Sequence, residues 1–565
     1  MASIKGISAF LRRQASRLVA DCKGNTAILF ALTLIPMLGA VGVALDYSRA
    51  NSLRGKLQAA ADAAALAAGK EQDGTEAARK LIAEEVFSAN AAQLKFTNEY
   101  TLAYADIDDG AAARVDVTAQ VPTTVSGILG INEIGVHVRA ETGLSGGTME
   151  IALVVDNSGS MDGSRIASLK TAARDLVKTL YGSQNFHPTI QIGIVPFAAT
   201  VNVGAQYKNA SWMDTNGVSS IHYNNMDSED YTRFELYDEL KNISWEGCVE
   251  ARPYPLDVQD TAPSAGTPDS YFVPLFAPDE PGNKGVYDYS KYYYNSYLDD
   301  DEGDCEDSGS GSSRRPPARS RSRGHFSGGH GHGYGYGYGG GGGGGGGSSS
   351  SLTDEEKQKR VCKYMNENAK SGTNSVGTRW GPNFLCDSSA ITPLTNSKGD
   401  LNSAIGKLGS YGGTNLHEGL MWGWRVLSPG VPFTEGKAYD DDENRKIIVL
   451  MSDGANFHGT FPNFNKSWYS AYGYAAENRL GNNLNSTNQL VSAMNSRTLE
   501  ACTNAKAAGI LIYTIAFDIS DNATVQLLQS CASSASMAYN TNSTSQMVAA
   551  FEDIAKKLGE LRLAR

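Results

Sequence analysis

The run Met149-Glu-Ile-Ala-Leu-Val-Val-Asp156-Asn-Ser-Gly-Ser160 decides the fold, because a continuous apolar segment ends in a carboxylate and a loop with two hydroxyls. An uninterrupted apolar run of this length predicts a strand that is buried on both faces of a parallel sheet. Helical spacing follows from Ile166 to Leu180. A buried strand followed by a helix is the repeating unit of a doubly wound α/β fold.

Three more apolar runs repeat this unit along the chain, at Thr189–Val195, Lys446–Met451 and Ile510–Phe517. Further helices are predicted around Asp400–Leu408, Leu416–Val426, Ser496–Ala508 and Thr524–Ser530. We therefore expect an α/β domain with a doubly wound, mostly parallel, Rossmann-like sheet over residues 148–565, with its ligand site at the carboxyl ends of the strands.

A large insertion interrupts the alternation of strands and helices over residues 205–390. Its middle contains Arg-Ser repeats, alternating Gly and Tyr, and a run of glycines from Gly339 to Gly347. Such a composition cannot bury a core, so residues 303–352 are expected to form a disordered tether. His325, His330 and His332 lie in this stretch, where no preorganised metal geometry is expected.

Asp156, Ser158 and Ser160 form a D-x-S-x-S pattern at the end of the first buried strand. Carboxylate and hydroxyl oxygens are the ligands of a hard cation such as Mg²⁺. The same residue types also cap helices, so this pattern alone leaves a turn and helix cap as the alternative. Thr414, in a loop before a helix, and Asp453, at the end of the third buried strand, add oxygens at the same edge. The five residues together predict a site for Mg²⁺ or another divalent cation.

Enzymatic motifs are missing from the sequence. There is no G-x-x-x-x-G-K-[ST] phosphate loop, and His417-Glu418 lacks the second histidine of H-E-x-x-H. Gly143-Leu-Ser145-Gly-Gly147 precedes a strand instead of joining strand to helix, so it is not a nucleophile elbow. The net charge of −12 argues against a nucleic-acid binder. We expect no catalytic residues, no small-molecule substrate and no nucleic acid.

The N-terminus predicts a membrane anchor. Residues 1–23 carry five basic side chains and one acid, and Gly24–Leu45 then runs 22 residues without a charge. Such a run is long enough to span a bilayer with its basic flank in the cytoplasm. A cleaved signal peptide is the alternative, because Gly42-Val-Ala44 is a small-x-small triplet. A helical stalk is expected over residues 46–94, and a small, pilin-like, β-rich region that this helix packs against over residues 95–147.

Six cysteines follow the predicted span, at positions 248, 305, 362, 386, 502 and 531. An even number fits an exported chain with structural disulfides, and the absence of C-x-x-C argues against a zinc cluster. We pair Cys502 with Cys531, because the helices before and after the fourth buried strand are neighbours in this type of sheet. The remaining pairings are open.

Three segments in this order, Asp156-Asn-Ser158-Gly-Ser160, Gly412-Gly-Thr414-Asn415 and Ser452-Asp453-Gly454, resemble the metal-ion-dependent adhesion site of von Willebrand factor type A (VWA) domains. The resemblance implies that Ser158, Ser160 and Thr414 contact the metal, whereas Asp156 and Asp453 hold its waters. It also implies a protein partner whose acidic side chain completes the metal shell.

A second resemblance covers the N-terminal segment. Gly24-Asn-Thr-Ala-Ile-Leu-Phe-Ala-Leu32, Pro36, Gly42, Asp46 and Leu57-Gln-Ala-Ala-Ala-Asp-Ala-Ala-Ala-Leu-Ala67 are similar to TadG-like proteins of the tight-adherence (Flp) pilus assembly system. It implies a protein of the bacterial cell envelope with a single pass through the inner membrane, a periplasmic or surface-facing C-terminal domain, and partners among Tad pilus or envelope components.

The second resemblance does not extend to proteolytic processing. Related pseudopilins are cut after such a glycine by a peptidase that requires Glu five residues further on. Leu29 occupies that position, so this processing is not expected.

The alternative function is a VWA interaction or chaperone-like module with a structural or idle metal, not linked to pili. VWA domains of metal chelatases work in the cytoplasm, and the predicted span and the six cysteines argue against that class.

Overall fold

The computed structural model describes residues 25–70, 75–93, 99–107, 112–143, 147–282, 290–300, 352–370 and 377–563. The chain forms two compact units, one of residues 1–146 with 563–565 and one of residues 147–562. The predicted cytoplasmic tail at residues 1–23, the tether apart from Leu352, and the three histidines within it lie outside the described residues.

The first unit is a helix on a small antiparallel sheet. Its elements are helices α1 (Asn25–Lys70) and α2 (Glu76–Gln93) and strands β1 (Tyr100–Ile107), β2 (Ala112–Pro122) and β3 (Glu133–Gly143). The strands pair in the order β1-β2-β3, all antiparallel. Small side chains of α1, such as Ala61 and Ala64, are buried in one cluster with Val115 and Val117 of β2. Alanine allows this close approach of helix to sheet, as the Ala-rich sequence predicts.

Helix α1 changes character along its length. Its first half exposes the large apolar side chains Phe30, Leu32, Leu34, Met37, Val41, Val43 and Leu45. From Ala50 onward one face of the helix, including Leu57, Ala61 and Ala64, is buried against the sheet, whereas Leu66 is exposed. In the part of the chain that the structure describes, no helix combines the length and apolar character that a membrane crossing requires. The span predicted over Gly24–Leu45 therefore stays a prediction.

One carboxylate joins α1 to the turn after β2. Asp46 accepts hydrogen bonds from the backbone N–H groups of Thr124 (3.1 Å), Val125 (2.9 Å) and Ser126 (2.8 Å). The hydroxyls of Thr124 and Ser126 donate to it as well, at 2.7 and 2.9 Å. Hydrogen bonds to the charged form favour it, first of all the one from the Ser126 N–H, so the pKa of Asp46 lies well below its usual range.

The second unit begins with strand β4 (Thr148–Asp156), helix α3 (Ser164–Tyr181) and strand β5 (Ile190–Phe197). Strand β6 (Val201–Asn202) follows, and the insertion contributes α4 (Arg233–Glu239), β7 (Cys248–Val249) and α5 (Asp354–Lys359). The chain then forms β8 (Thr392–Thr395), α6 (Lys398–Lys407), α7 (Leu416–Leu427), β9 (Asn444–Ser452), α8 (Thr487–Ala507), β10 (Leu511–Phe517), α9 (Asn522–Cys531), β11 (Ala538–Thr541) and α10 (Thr544–Leu563).

The main sheet has six strands in the order β11-β10-β9-β4-β5-β8. All neighbours pair in parallel except β8, which is antiparallel to β5 at the edge. Strand β4 lies inside the sheet and alternates between two cores. Ala152 and Val154 pack on the side of α7, α8 and α9, whereas Ile151 and Val155 pack on the side of α3, α6 and α10. The predicted mixed α/β fold with a mostly parallel sheet is confirmed.

The four predicted buried strands and the helices between them are present, but three C-terminal or edge elements were not predicted. Strand β8 has four residues and contains Pro393, which suits an edge strand and weakens the sequence signal. Strand β11 is short and partly polar, with Asn540 exposed. Helix α10 follows it, and helix α8 begins at Thr487, nine residues before the predicted start at Ser496.

The described part of the insertion is folded onto the α/β domain. Trp212, Phe234, Trp245 and Phe272 are buried in the same apolar cluster as Trp422 of α7. Aromatic side chains bury large apolar areas, so this part of the insertion extends the apolar core on one face of the sheet.

The predicted disulfide between Cys502 and Cys531 is confirmed, and it links α8 to α9. A second disulfide joins Cys248 of β7 to Cys386, so it ties the start of the insertion to its end. Cys362 is also disulfide-bonded. Disulfides of this kind are typical of exported proteins.

Removing the α8–α9 disulfide should lower the stability of the second unit. Its cysteines are 29 residues apart, and loop-closure entropy gives a loss of about 3–4 kcal/mol for the double Cys502→Ser, Cys531→Ser variant. Urea unfolding followed by circular dichroism measures this loss. The Cys248→Ser, Cys386→Ser variant opens a loop of 138 residues and should lose about 5 kcal/mol. A larger loss for the shorter loop would contradict the loop-closure explanation.

Asp46→Asn should loosen the turn after β2, because an amide oxygen cannot accept all the hydrogen bonds of the carboxylate. We expect the Thr124–Ser126 amides to exchange hydrogen about tenfold faster, measured by mass spectrometry. The stabilisation from Asp46 is complete above about pH 4, the usual carboxyl pKa, and is lost as the pH falls toward the lowered folded pKa. Asp62→Asn, an exposed α1 carboxylate bonded to Gln58, is the control. Equal exchange in both variants would contradict the role of Asp46.

Candidate metal centre

Three loops meet at the carboxyl edge of the main sheet, after β4, before α7 and after β9. The Gly159 N–H donates to the Gly412 carbonyl at 2.9 Å and the Tyr411 N–H to the Asn157 carbonyl at 3.0 Å, so the first two loops are joined by their backbones. The Phe457 N–H donates to the Thr414 carbonyl at 2.9 Å and joins the third loop.

The predicted hydroxyls converge on Asp453. Ser158 Oγ and Ser160 Oγ are 2.9 Å apart, and the Ser160 hydroxyl donates to Asp453 Oδ1 at 2.6 Å. Thr414 Oγ1 reaches the same place from the second loop: a Cβ added to Gly454 would lie 3.3 Å from it and 3.7 Å from Ser160 Oγ. The glycine after Asp453 therefore leaves the space into which these oxygens point.

Asp156 lies beneath the hydroxyls and is fully buried. Its Oδ1 accepts the Ser158 N–H at 2.8 Å, and its Oδ2 accepts the Ser452 hydroxyl at 2.6 Å. Burial and, second to it, the nearby Asp453 carboxylate raise the pKa of Asp156 to about 6. Asp156 thus orders two loops from below. The structure brings all five predicted residues together.

Two participants were not among the predicted site residues. Ser452, directly before Asp453, holds Asp156 through its hydroxyl. Arg165, in the first turn of α3, donates from Nη1 to Asp453 Oδ2 at 2.7 Å. A basic residue one helical turn beyond a D-x-S-x-S loop is the signal that could have indicated Arg165. The pairing with Asp453 depends on the fold, because the two residues are 288 positions apart.

The donor set fits a hard divalent cation. It consists of three hydroxyls and two carboxylates, all oxygen, which suits Mg²⁺ or Mn²⁺ better than a metal that prefers nitrogen or sulfur. No group of three or more His, Cys, Asp or Glu side chains is close enough to hold a metal within the described ranges. Ser158, Ser160 and Thr414 would be the direct ligands, with Asp156 and Asp453 behind them.

His417 and Glu418 have a structural role in α7. His417 is fully buried, with Nδ1 2.7 Å from the Tyr472 hydroxyl and Nε2 3.0 Å from the Asp257 carbonyl. Burial lowers the pKa of His417 to about 3, so the ring is neutral. The Glu418 carboxylate accepts the Trp422 N–H at 3.2 Å. These partners leave neither side chain facing solvent.

Comparisons with known proteins address the two units separately. Residues 24–78 match the family described as "Putative Flp pilus-assembly TadE/G-like". No curated protein matches the sequence.

Three solved structures are similar at low identity. The vWF domain of the type V pili tip protein Mfa5 from Porphyromonas gingivalis is 11% identical, with 73% of this chain and 96% of that chain covered and a TM-score of 0.30. The adhesive tip pilin GBS104 from Group B Streptococcus agalactiae is 10% identical, with 73% and 100% covered and a TM-score of 0.32. Mussel byssus proximal thread matrix protein 1, with a zinc-occupied MIDAS motif, is 12% identical, with 73% and 46% covered and a TM-score of 0.27.

At these TM-scores the solved structures do not assign the second unit to a family. Its resemblance to VWA domains lies in features of this chain. Those features are the strand order with one antiparallel edge strand and the D-x-S-x-S loop at the end of β4. The TadE/G-like segment at residues 24–78 confirms the second resemblance. Residues 24–78 therefore resemble TadE/G-like pilus-assembly proteins, and the second unit is an α/β domain whose site loops resemble those of von Willebrand factor type A domains.

Proposed function

We propose that this protein acts in Flp pilus assembly or surface adherence, by binding a protein partner through a divalent cation at the candidate metal centre. The observation that carries the proposal is that the hydroxyls of Ser158, Ser160 and Thr414 lie together at one edge of the sheet, where Ser160 donates to the Asp453 carboxylate. The match of residues 24–78 to pilus-assembly proteins supports the cellular setting.

The composition of the centre favours binding over catalysis. Its three inner ligands are neutral hydroxyls, and its two carboxylates are held by other partners, Asp156 by Ser452 and Asp453 by Arg165. A bound cation would supply a positive charge that an Asp or Glu of a partner can neutralise. Ser160 is exposed, so the centre is open to a second protein on this side.

The membrane anchor is the second part of the proposal. We infer that Gly24–Leu45 crosses the inner membrane with the basic residues 1–23 in the cytoplasm. The exposed apolar side chains of α1, such as Phe30 at 65% and Met37 at 64%, support a lipid surrounding for this half of the helix. The VWA domain would then lie in the periplasm or face the cell surface, which agrees with its disulfides.

One observation favours a second candidate, in which the VWA domain binds proteins without a functional metal and is not linked to pili. Arg165 already neutralises Asp453, whose side chain is fully buried. A centre whose carboxylate is paired in this way is satisfied without a cation. Partner binding in the presence of a chelator distinguishes the two candidates.

Ser158→Ala should abolish Mg²⁺-dependent capture of the partner. It removes one ligand oxygen, and the backbone N–H of residue 158 still reaches Asp156. The measurement is a pull-down from crosslinked cell envelopes, with and without EDTA, together with piliation or surface adherence. Ser496→Ala, an exposed hydroxyl on α8, is the control and should bind as the unmodified protein does. We expect a loss of at least about tenfold for Ser158→Ala.

Asp156→Ala should give the same loss of capture, but it also removes the partner of Ser452, so its folding is checked by circular dichroism. A folded, exported Ser158→Ala protein that captures its partner as well as the unmodified protein does, with or without EDTA, would contradict the metal-dependent proposal and favour the second candidate.

Export is tested separately. A reporter fused after Arg565 that is active only outside the cytoplasm should be active, because the anchor leaves the C-terminus exported. The same reporter fused to the chain without residues 1–45 should be inactive. If the first fusion is inactive, and a reporter that works only in the cytoplasm is active at the same position, adhesion at the cell surface is excluded.

A further inference from the structure

Arg165 occupies a position between the candidate metal centre and a second carboxylate. Its Nη1 donates to Asp453 Oδ2 at 2.7 Å, and its Nη2 donates to Asp518 Oδ2 at 2.5 Å. The guanidinium lies over the Phe517 ring, 5.6 Å from the ring centroid. Asp518 directly follows β10, the strand next to β9, so the bridge spans two neighbouring strand ends.

The two oxygens of Asp453 have opposite surroundings. Oδ1 faces the hydroxyl cluster and accepts from Ser160 at 2.6 Å, whereas Oδ2 faces Arg165. The Asp453 side chain is fully buried, whereas that of Arg165 is 32% exposed. A guanidinium charge against a buried carboxylate reduces the negative potential that the centre offers to a cation, and water screens it only in part.

Asp518 moderates this effect. Its side chain is 48% exposed and holds the other half of the guanidinium fork. Because Arg165 divides its hydrogen bonds between two carboxylates, Asp518 compensates part of the charge that would otherwise act on Asp453 alone. The net charge near the centre therefore depends on Arg165 and Asp518 as well as on Asp156 and Asp453, the two carboxylates of the metal site.

We propose that Arg165 is a built-in competing counterion that holds the affinity of the centre for divalent cations low, and that Asp518 weakens this competition. The inference rests on the proposed function, since it concerns the same metal centre. It predicts opposite effects for the two partners of one ion-pair network: removing the Arg165 charge tightens cation binding, and removing the Asp518 charge weakens it.

The test uses the full chain in detergent and Mn²⁺ as the probe, because Mn²⁺ accepts the same oxygen ligands as Mg²⁺ and its free form is measured by electron paramagnetic resonance. We expect Arg165→Gln to lower the Mn²⁺ dissociation constant by about fivefold and Asp518→Asn to raise it by about threefold. The double variant should lie within about twofold of Arg165→Gln, because Asp518 acts through Arg165. Raising the salt concentration should shrink both effects.

Lys170→Gln is the matched control. It removes one positive charge from the same helix α3, where the ammonium group donates to the Gly406 carbonyl at 3.1 Å, and it should leave Mn²⁺ binding unchanged. Thermal unfolding checks that each variant is folded.

Each outcome decides the matter. Weaker Mn²⁺ binding by a folded Arg165→Gln protein would show that Arg165 positions Asp453 for the metal, and would overturn the proposal. Equal binding by all variants would overturn it too, while the metal-dependent function stays intact. Loss of specific binding in every protein, the unmodified chain included, would overturn the metal-dependent function and this inference together. Binding by Arg165→Gln alone would support the inference in its strongest form.

Discussion

A fully buried carboxylate, Asp156, joins the first strand of the α/β domain to the third loop of the candidate site. Strands β4 and β9 are parallel neighbours, so their carboxyl ends reach the same edge of the sheet. Asp156 at the end of β4 accepts the hydroxyl of Ser452 at the end of β9, and it also orders its own loop through the Ser158 N–H. The positions of Ser158, Ser160 and Asp453 depend on this one buried anchor. Ser158 lies two residues from it and Asp453 directly follows Ser452, and the Ser160 hydroxyl contacts both of them.

The sequence predicted those parts of the fold that depend on local pattern. Apolar runs such as Met149–Val155 are buried whatever their neighbours, so their strands could be recognised one at a time. Strand β8, with Pro393, and strand β11, with exposed Asn540, are stabilised by pairing at sheet edges, which no local pattern reports. Helix α8 starts early because the side chain of Ser486 caps it by accepting the Gln489 N–H, although the apolar spacing there is weak.

The sequence likewise predicted only part of the candidate site. Its five oxygen residues stand in short motifs at strand ends and before a helix, so the topology alone brings them together. Arg165 lies outside these motifs, and Ser452 lies in one without having been assigned a role; the contacts of both appear only when α3, β4 and β9 are in place. The disulfide between Cys502 and Cys531 could be predicted from the topology, because the helices before and after the fourth buried strand, α8 and α9, are neighbours. Cys248 and Cys386 lie in the insertion, where the sequence has no repeating unit to place them.

The hydrogen bonds of the centre also set what a cation must provide. Ser160 donates to Asp453, Ser452 donates to Asp156, and Arg165 neutralises Asp453, so the polar groups are satisfied as they stand. A divalent ion that binds the oxygens of Ser160 and Asp453 would break the hydrogen bond between them. Its net binding free energy is the difference between the interactions that it makes and the hydrogen bond that it replaces. A partner carboxylate changes that difference, because it adds a negative charge where the protein's own carboxylates are already shared. Under the proposed function, cation and partner would therefore bind more strongly together than either binds alone, and by linkage each would raise the affinity of the other by the same factor.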